Sequence, residues 1–332
     1  MSFRGWPKQE LRIAGERTVE AIFPVILSAS RATDLPAFYA EWFRNRLEAG
    51  YLQWVNPFNA HQIQYVALRD VRVVVFWSKN PEPLLPHLDA LDERGIHYYF
   101  QFTVNDYESE GLEPRLPPVS QRIQTFRSLA ERVGRERVIW RFDPLLLTRD
   151  LSAEILLERI QRIGEELQGH TSKLIFSFAD IAEYRTVRER LARAEVGWVD
   201  FTRERMVDFA GRLSKIGRAL GLPLATCAES IDLTALGIEA NRCIDDELMI
   251  RLWSRDTALM RFLGYEPNLF GETNRPVLKD KGQRKACGCI VSKDIGRYRT
   301  CAHLCRYCYA NGSAKEAIRN HERHNPRAES IL

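Results

Sequence analysis

The sequence predicts an α/β fold built as a parallel (β/α) barrel, on three observations. Short runs rich in β-branched and aromatic residues alternate with amphipathic stretches from Pro24 onward, most of those stretches end at a glycine, and polar, chemically able residues close the successive apolar runs. Strands are expected at 25–30, 52–55, 71–77, 98–103, 138–142, 174–178 and 222–226, with no tight-hairpin dipeptides between them. The helices follow from 3.6-residue periodicity. Met206, Phe209, Leu213, Ile216 and Leu220 share one face before a glycine stop at Gly221. Tyr39, Phe43 and Leu47 end at Gly50, Leu84, Leu88 and Leu91 at Gly95, and Ile123, Phe126 and Leu129 near Gly134. No internal repeat and no low-complexity linker divides the chain, so residues 1–332 read as one domain.

Composition narrows the class. With 45% hydrophobic and 28% charged residues the chain is ordinary for a globular protein, and no apolar run approaches the roughly 20 residues of a membrane span. Residues 1–20 are charged and lack a secretory signal, which gives a cytoplasmic expectation. A net charge of +4 permits nucleic acid as a partner without implying it. Seven cysteines fall in the last third: Cys227, Cys243, Cys287, Cys289, Cys301, Cys305 and Cys308. An odd, clustered set in a cytosolic chain points to metal rather than disulfides.

The strand ends supply candidate site residues. In a (β/α) barrel such groups meet at one mouth, which makes Lys79, Arg141, Asp143 and Glu229 candidate catalytic residues. Lys79 and Arg141 suit carboxylate or phosphate groups, while Asp143 and Glu229 suit ribose hydroxyls or an amine. Ser28, Ser30 and Asn56 are expected to contact a cofactor, whereas Thr33, Asp34 and Asn80 read equally well as helix caps.

The segment Thr300-Cys301-Ala302-His303-Leu304-Cys305-Arg306-Tyr307-Cys308 carries the spacing Cys-x3-Cys-x2-Cys. Three thiolates can hold three irons of a [4Fe–4S] cluster and leave the fourth iron open. A zinc knuckle completed by His303 or a fourth cysteine is the rival, and His321 and His324 read as surface residues. Cys227, Cys243, Cys287 and Cys289 are enough to saturate a second centre, a further [4Fe–4S] cluster or zinc. Cys227 and Cys243 also read as buried packing residues.

This cysteine motif resembles that of the radical S-adenosylmethionine enzymes. The resemblance implies that the open iron chelates the methionine amino and carboxylate groups, and that the reduced cluster cleaves the sulfonium to a 5′-deoxyadenosyl radical. It also places Tyr307 beside the adenine and implies a reductant such as ferredoxin or flavodoxin. The stretches Ser28-Ala29-Ser30-Arg31, Asn56-Pro57-Phe58-Asn59, Phe76-Trp77-Ser78-Lys79-Asn80-Pro81, Trp140-Arg141-Phe142-Asp143-Pro144 and Lys285-Ala286-Cys287-Gly288-Cys289 resemble those of a bacterial family catalogued as a domain of unknown function with such a C-terminal cluster. In ordinary radical enzymes the cysteine loop follows the first barrel strand, and here it comes last. The barrel is therefore expected to be circularly permuted, with its eighth strand from 289–300, a helix within 311–323, and the cluster-binding segment at 280–311. The substrate is not legible. The alternative from a different class is an iron–sulfur or zinc protein that binds nucleic acid or a protein partner without radical chemistry.

Overall fold

The structure is a computed structural model that describes residues 3–57, 59–265 and 277–332. Of the motifs quoted above, Phe58 lies outside the described residues. The described strands run in chain order as β1 (Lys8–Arg12), β2 (Thr18–Ile22), β3 (Ile26–Ala29), β4 (Tyr51–Asn56), β5 (Asn59–Ala67), β6 (Val73–Ser78) and β7 (His97–Thr103). They continue as β8 (Val138–Leu145), β9 (Leu147–Thr148), β10 (Leu174–Phe178), β11 (Trp198–Val199), β12 (Leu224–Thr226), β13 (Ile238–Ala240) and β14 (Lys293–Asp294). The helices are α1 (Leu35–Phe38), α2 (Ala40–Ala49), α3 (Asp89–Asp92), α4 (Val119–Val133), α5 (Ala153–Leu167), α6 (Arg185–Arg193), α7 (Arg203–Leu220), α8 (Asp246–Trp253), α9 (Thr257–Leu263) and α10 (Ala314–Glu322).

Eight strands form one parallel sheet in the order β13-β12-β10-β8-β7-β6-β3-β14. The anticipated C-terminal strand is β14, where Lys293 and Asp294 pair with Leu27 and Ser28, and α10 is the anticipated C-terminal helix. No closed barrel is detected among the described residues. No ladder joins β13 to β14 among the described residues, and these edge strands are only three and two residues long. The expected strand at 52–55 is a second correction. It lies in β4, which pairs antiparallel with β5 in a separate four-stranded sheet, β1-β2-β5-β4. Only two residues separate β4 from β5, the first of them the turn former Pro57, so the chain makes a hairpin where a crossover was expected.

Side-chain alternation along the parallel strands builds two cores. Leu27, Val74, Phe76, Tyr98, Phe100, Val138, Trp140, Leu174 and Phe176 face the flanking helices, including Phe43 of α2, Phe126 of α4, Ile160 of α5 and Leu213 of α7. Each such fully buried side chain contributes about 1.5–3 kcal/mol. The intervening residues Ile26, Val73, Val75, Tyr99, Ile139 and Ile175 face the opposite way and pack on Leu248 and Met249 of α8, Leu259 and Met260 of α9, and Ile290. The inner face is thus plugged by the segment after β13. Helix ends follow their sequence signals: Thr202 caps α7 through a hydrogen bond from the Arg205 N–H, and Gly221 ends it in the left-handed region. The expected helix carrying Leu84, Leu88 and Leu91 is broken into a 3-10 turn at Glu82–His87 and the short α3, because Pro86 cannot donate to a helical ladder.

Candidate metal and active site

Polar residues end or closely follow several of the parallel strands. The loop carrying Cys301, Cys305 and Cys308 lies over the β3 and β6 side. Asp34, which caps α1 by accepting from Ala37 N–H, also accepts from the Ser78 hydroxyl at 2.7 Å and the Lys79 N–H at 2.7 Å. Its second oxygen lies 2.8 Å from His303 Nε2. Asp34 therefore joins β6, α1 and the cysteine loop. Tyr39 donates to Thr300 O at 2.7 Å and Asn311 donates to Cys301 O at 2.8 Å, which fixes the loop at both ends. Burial pushes the Cys301 thiol up to about 12 and the Cys305 thiol well above its ordinary range. His321 and His324 are corrected from surface residues: both are half-buried and pack on Tyr39, with ring centroids 5.9 and 4.7 Å away.

Lys79 and Tyr307 meet on a residue that sequence reasoning missed. The buried Glu113 carboxylate accepts from Lys79 Nζ at 2.8 Å and from the Tyr307 hydroxyl, with Arg122 Nη1 3.7 Å away. Burial alone would raise its pKa, but Lys79 and Arg122 outweigh burial and hold it below the usual range. Glu113 sits in an irregular loop with no motif around it, so nothing in the sequence marked it. Arg190 was missed as well, because in α6 it reads as one more arginine of a charged helix. Its guanidinium donates to Cys308 O at 2.8 Å, to Cys305 O and Arg306 O at 3.3 Å, and to Asn311 O.

Arg141, Asp143 and Glu229 lie on the β8, β10 and β12 side. Arg141 pairs with Asp143, which also accepts from the Ser177 hydroxyl. Burial would raise the Asp143 pKa, yet Arg141 and Ser177 keep it low. Glu229 accepts from Phe178 N–H at 2.8 Å, and burial lifts it to about 7. Ser28 and Ser30 are placed beside β14. The Ser28 hydroxyl donates to Asp294 at 2.7 Å, and the Ser30 hydroxyl accepts from Ala32 N–H at 2.9 Å. Asn56 ends β4 in the four-stranded sheet, bonded to Gln62 at 2.6 Å.

The second cysteine set is brought together from three segments. The sulfurs of Cys227, beyond β12, and Cys243, beyond β13, are 3.5 Å apart. Cys243 and Cys289 interact in turn, as do Cys289 and Cys287, which holds the Cys287 thiol down to about 7. Among the described residues, no three or more His, Cys, Asp or Glu side chains stand, as placed, in an arrangement that could hold a metal ion.

The fold defines a mixed α/β protein with a large parallel sheet of eight strands. Residues 26–310 match the family described as Domain of unknown function (DUF1848), and the chain belongs to that family. No curated protein and no solved structure matches it. Among the described residues no helix is long and apolar enough to cross a membrane.

Proposed function

We propose that the protein is a radical S-adenosylmethionine enzyme whose sheet is an open, circularly permuted version of that family's barrel. One observation carries this reading: β14, the strand before the cysteine loop, pairs with β3 at the sheet edge, and α10 follows the loop. Strand, cysteine loop and helix thus occur in the order expected for the first unit of such a barrel. Cys301, Cys305 and Cys308 fit a [4Fe–4S] cluster as a donor set. They are three soft ligands on one loop, with His303 held by Asp34 as a support. Each thiolate of a cluster binds a different iron, so the sulfurs of such a site need not converge on one point. Bound together, the cluster and S-adenosylmethionine would supply one-electron radical chemistry, fed by a reductant of the ferredoxin or flavodoxin class.

The chain's own residues position and shield. Arg190 and Asn311 hold the loop carbonyls, Tyr307 offers a ring edge anchored by Glu113, and Arg141, Asp143, Ser177 and Glu229 present polar groups to a substrate at the same end of the sheet. The experiment is anaerobic reconstitution with iron and sulfide, reduction, and electron paramagnetic resonance. A [4Fe–4S]⁺ signal that changes on addition of S-adenosylmethionine supports the reading. A signal indifferent to it, together with salt-dependent nucleic-acid binding, selects the non-radical alternative.

A further inference from the structure

We infer that Cys227, Cys243, Cys287 and Cys289 form a mononuclear tetrathiolate site, with zinc as its metal, that fastens the plug segment to the parallel sheet. The expectation of a second [4Fe–4S] cluster is set aside on distance. Sulfurs that share one tetrahedral ion through bonds of about 2.3 Å stand about 3.8 Å apart. Thiolates of a cubane sit on separate irons and lie several ångströms farther from one another. Cys227 and Cys243 are at 3.5 Å, and the contacts continue through Cys289 to Cys287.

Hydrogen-bond donors crowd two of these sulfurs. The Cys243 sulfur accepts from Arg141 Nη1 at 3.0 Å and Asn241 Nδ2 at 3.4 Å, and the Cys289 sulfur accepts from the N–H groups of Cys243 at 3.2 Å and Ile244 at 3.4 Å. A neutral thiol is a weak acceptor, and so many donors on two sulfurs form the outer shell that a metal thiolate uses. Arg141, and Arg31 against Cys289 and Cys243, supply the positive charge that a tetrathiolate zinc site of net −2 requires.

As placed, the sulfurs run in a chain rather than around a centre, so loading requires Cys227 and Cys287, the two ends, to turn inward. Gly288, between the paired ligands, has Arg242 Cγ 3.0 Å from where a Cβ would stand, so the backbone there lies close against the Asn241–Arg242 loop. The consequence is mechanical. Cys227 belongs to the sheet, while Cys243, Cys287 and Cys289 belong to the segment that packs on its inner face through Leu248, Met249 and Ile290.

The test is metal analysis and zinc X-ray absorption on full-length protein purified anaerobically with zinc supplied, and then reconstituted with iron. The expected result is one zinc per chain in a shell of four sulfurs at about 2.3 Å, with about four irons, and a melting temperature that falls when zinc is chelated. Cys287→Ser should loosen the zinc without removing the iron. About eight irons and no zinc, no retained zinc, or zinc bound through nitrogen and oxygen would overturn the inference. Zinc with four sulfurs but no effect of S-adenosylmethionine on the reduced cluster would leave this site standing and remove the radical reading, so the two fail separately.

Discussion

Arg141 donates a 3.0 Å hydrogen bond to the sulfur of Cys243, while its other terminal nitrogen pairs with Asp143. One buried side chain on β8 thereby links the second cysteine set to the carboxylate and hydroxyl groups at the strand ends. Burial alone would lower its pKa, but Asp143 and the thiols keep the guanidinium charged well above its ordinary value. Arg141→Met should cost about 3 kcal/mol, the loss typical when one partner of a buried pair is removed. Arg141→Lys should recover only part, because a point charge cannot serve sulfur and carboxylate at once. Denaturant unfolding measures both, and an unshifted midpoint for Arg141→Met would contradict this role.

Arg190 gathers four carbonyl oxygens of the cysteine loop. Removing it leaves the cysteines present but their backbone unheld, so Arg190→Ala should retain less than about half of the four irons of a single [4Fe–4S] cluster with an unchanged far-ultraviolet circular dichroism spectrum. Wild-type iron content in that variant would show that the loop holds itself.

Gly296 is required by Ser30. A Cβ at position 296 would lie 1.8 Å from Ser30 Oγ and 2.5 Å from Ser30 Cβ, so β3 and the chain after β14 meet with no room for a methyl group. Gly296→Ala should destabilise the protein by about 1–3 kcal/mol, in the range of overpacking. Adding Ser30→Gly to the same chain should restore most of it. A double variant no more stable than the single one would locate the strain elsewhere.

Lys293 ties β14 to the four-stranded sheet, with Nζ 2.8 Å from Gln64 Oε1 and 3.3 Å from the centre of the Trp54 ring. Burial lowers its pKa to about 8 from 10.5, against the opposing pull of Asp294. Below about pH 8 both folded and unfolded chains are protonated there, and the cost of the buried charge is felt in full. Between about 8 and 10.5 the unfolded chain binds more protons, so stability should gain from this residue as pH rises. Subtracting the pH profile of Lys293→Met from that of the wild type should isolate a rising limb in that window. A flat difference would mean the lysine is hydrated.

Much of the parallel sheet was legible because its strands are apolar runs closed by polar residues, and α2, α4 and α7 because a glycine stop follows a regular apolar stripe. The hairpin β4–β5 was misread because Leu52 and Val55 carry the same β-branched and apolar signal as a buried parallel strand, and only the partner strand distinguishes the two. The strands β13 and β14 are too short for any periodicity to mark. At the candidate site, the spacing of Cys301, Cys305 and Cys308 and the count of the other four cysteines pointed to two sulfur sets, and strand-end position singled out Lys79, Arg141, Asp143 and Glu229. Glu113, Arg190 and Asp294 were invisible for a physical reason. They act through contacts across 194, 118 and 266 residues of chain, with Tyr307, Cys308 and Ser28 respectively, and no local pattern encodes such a meeting.

The most direct measurement of the central claim is 5′-deoxyadenosine, quantified after the anaerobically reconstituted, chemically reduced protein is incubated with S-adenosylmethionine. Wild-type protein should release 5′-deoxyadenosine and methionine in equal amounts, and the Cys305→Ala protein, having lost one ligand to iron, should release neither above the protein-free control. Absence of 5′-deoxyadenosine from wild-type protein carrying a full cluster, or undiminished formation by Cys305→Ala, would contradict the account.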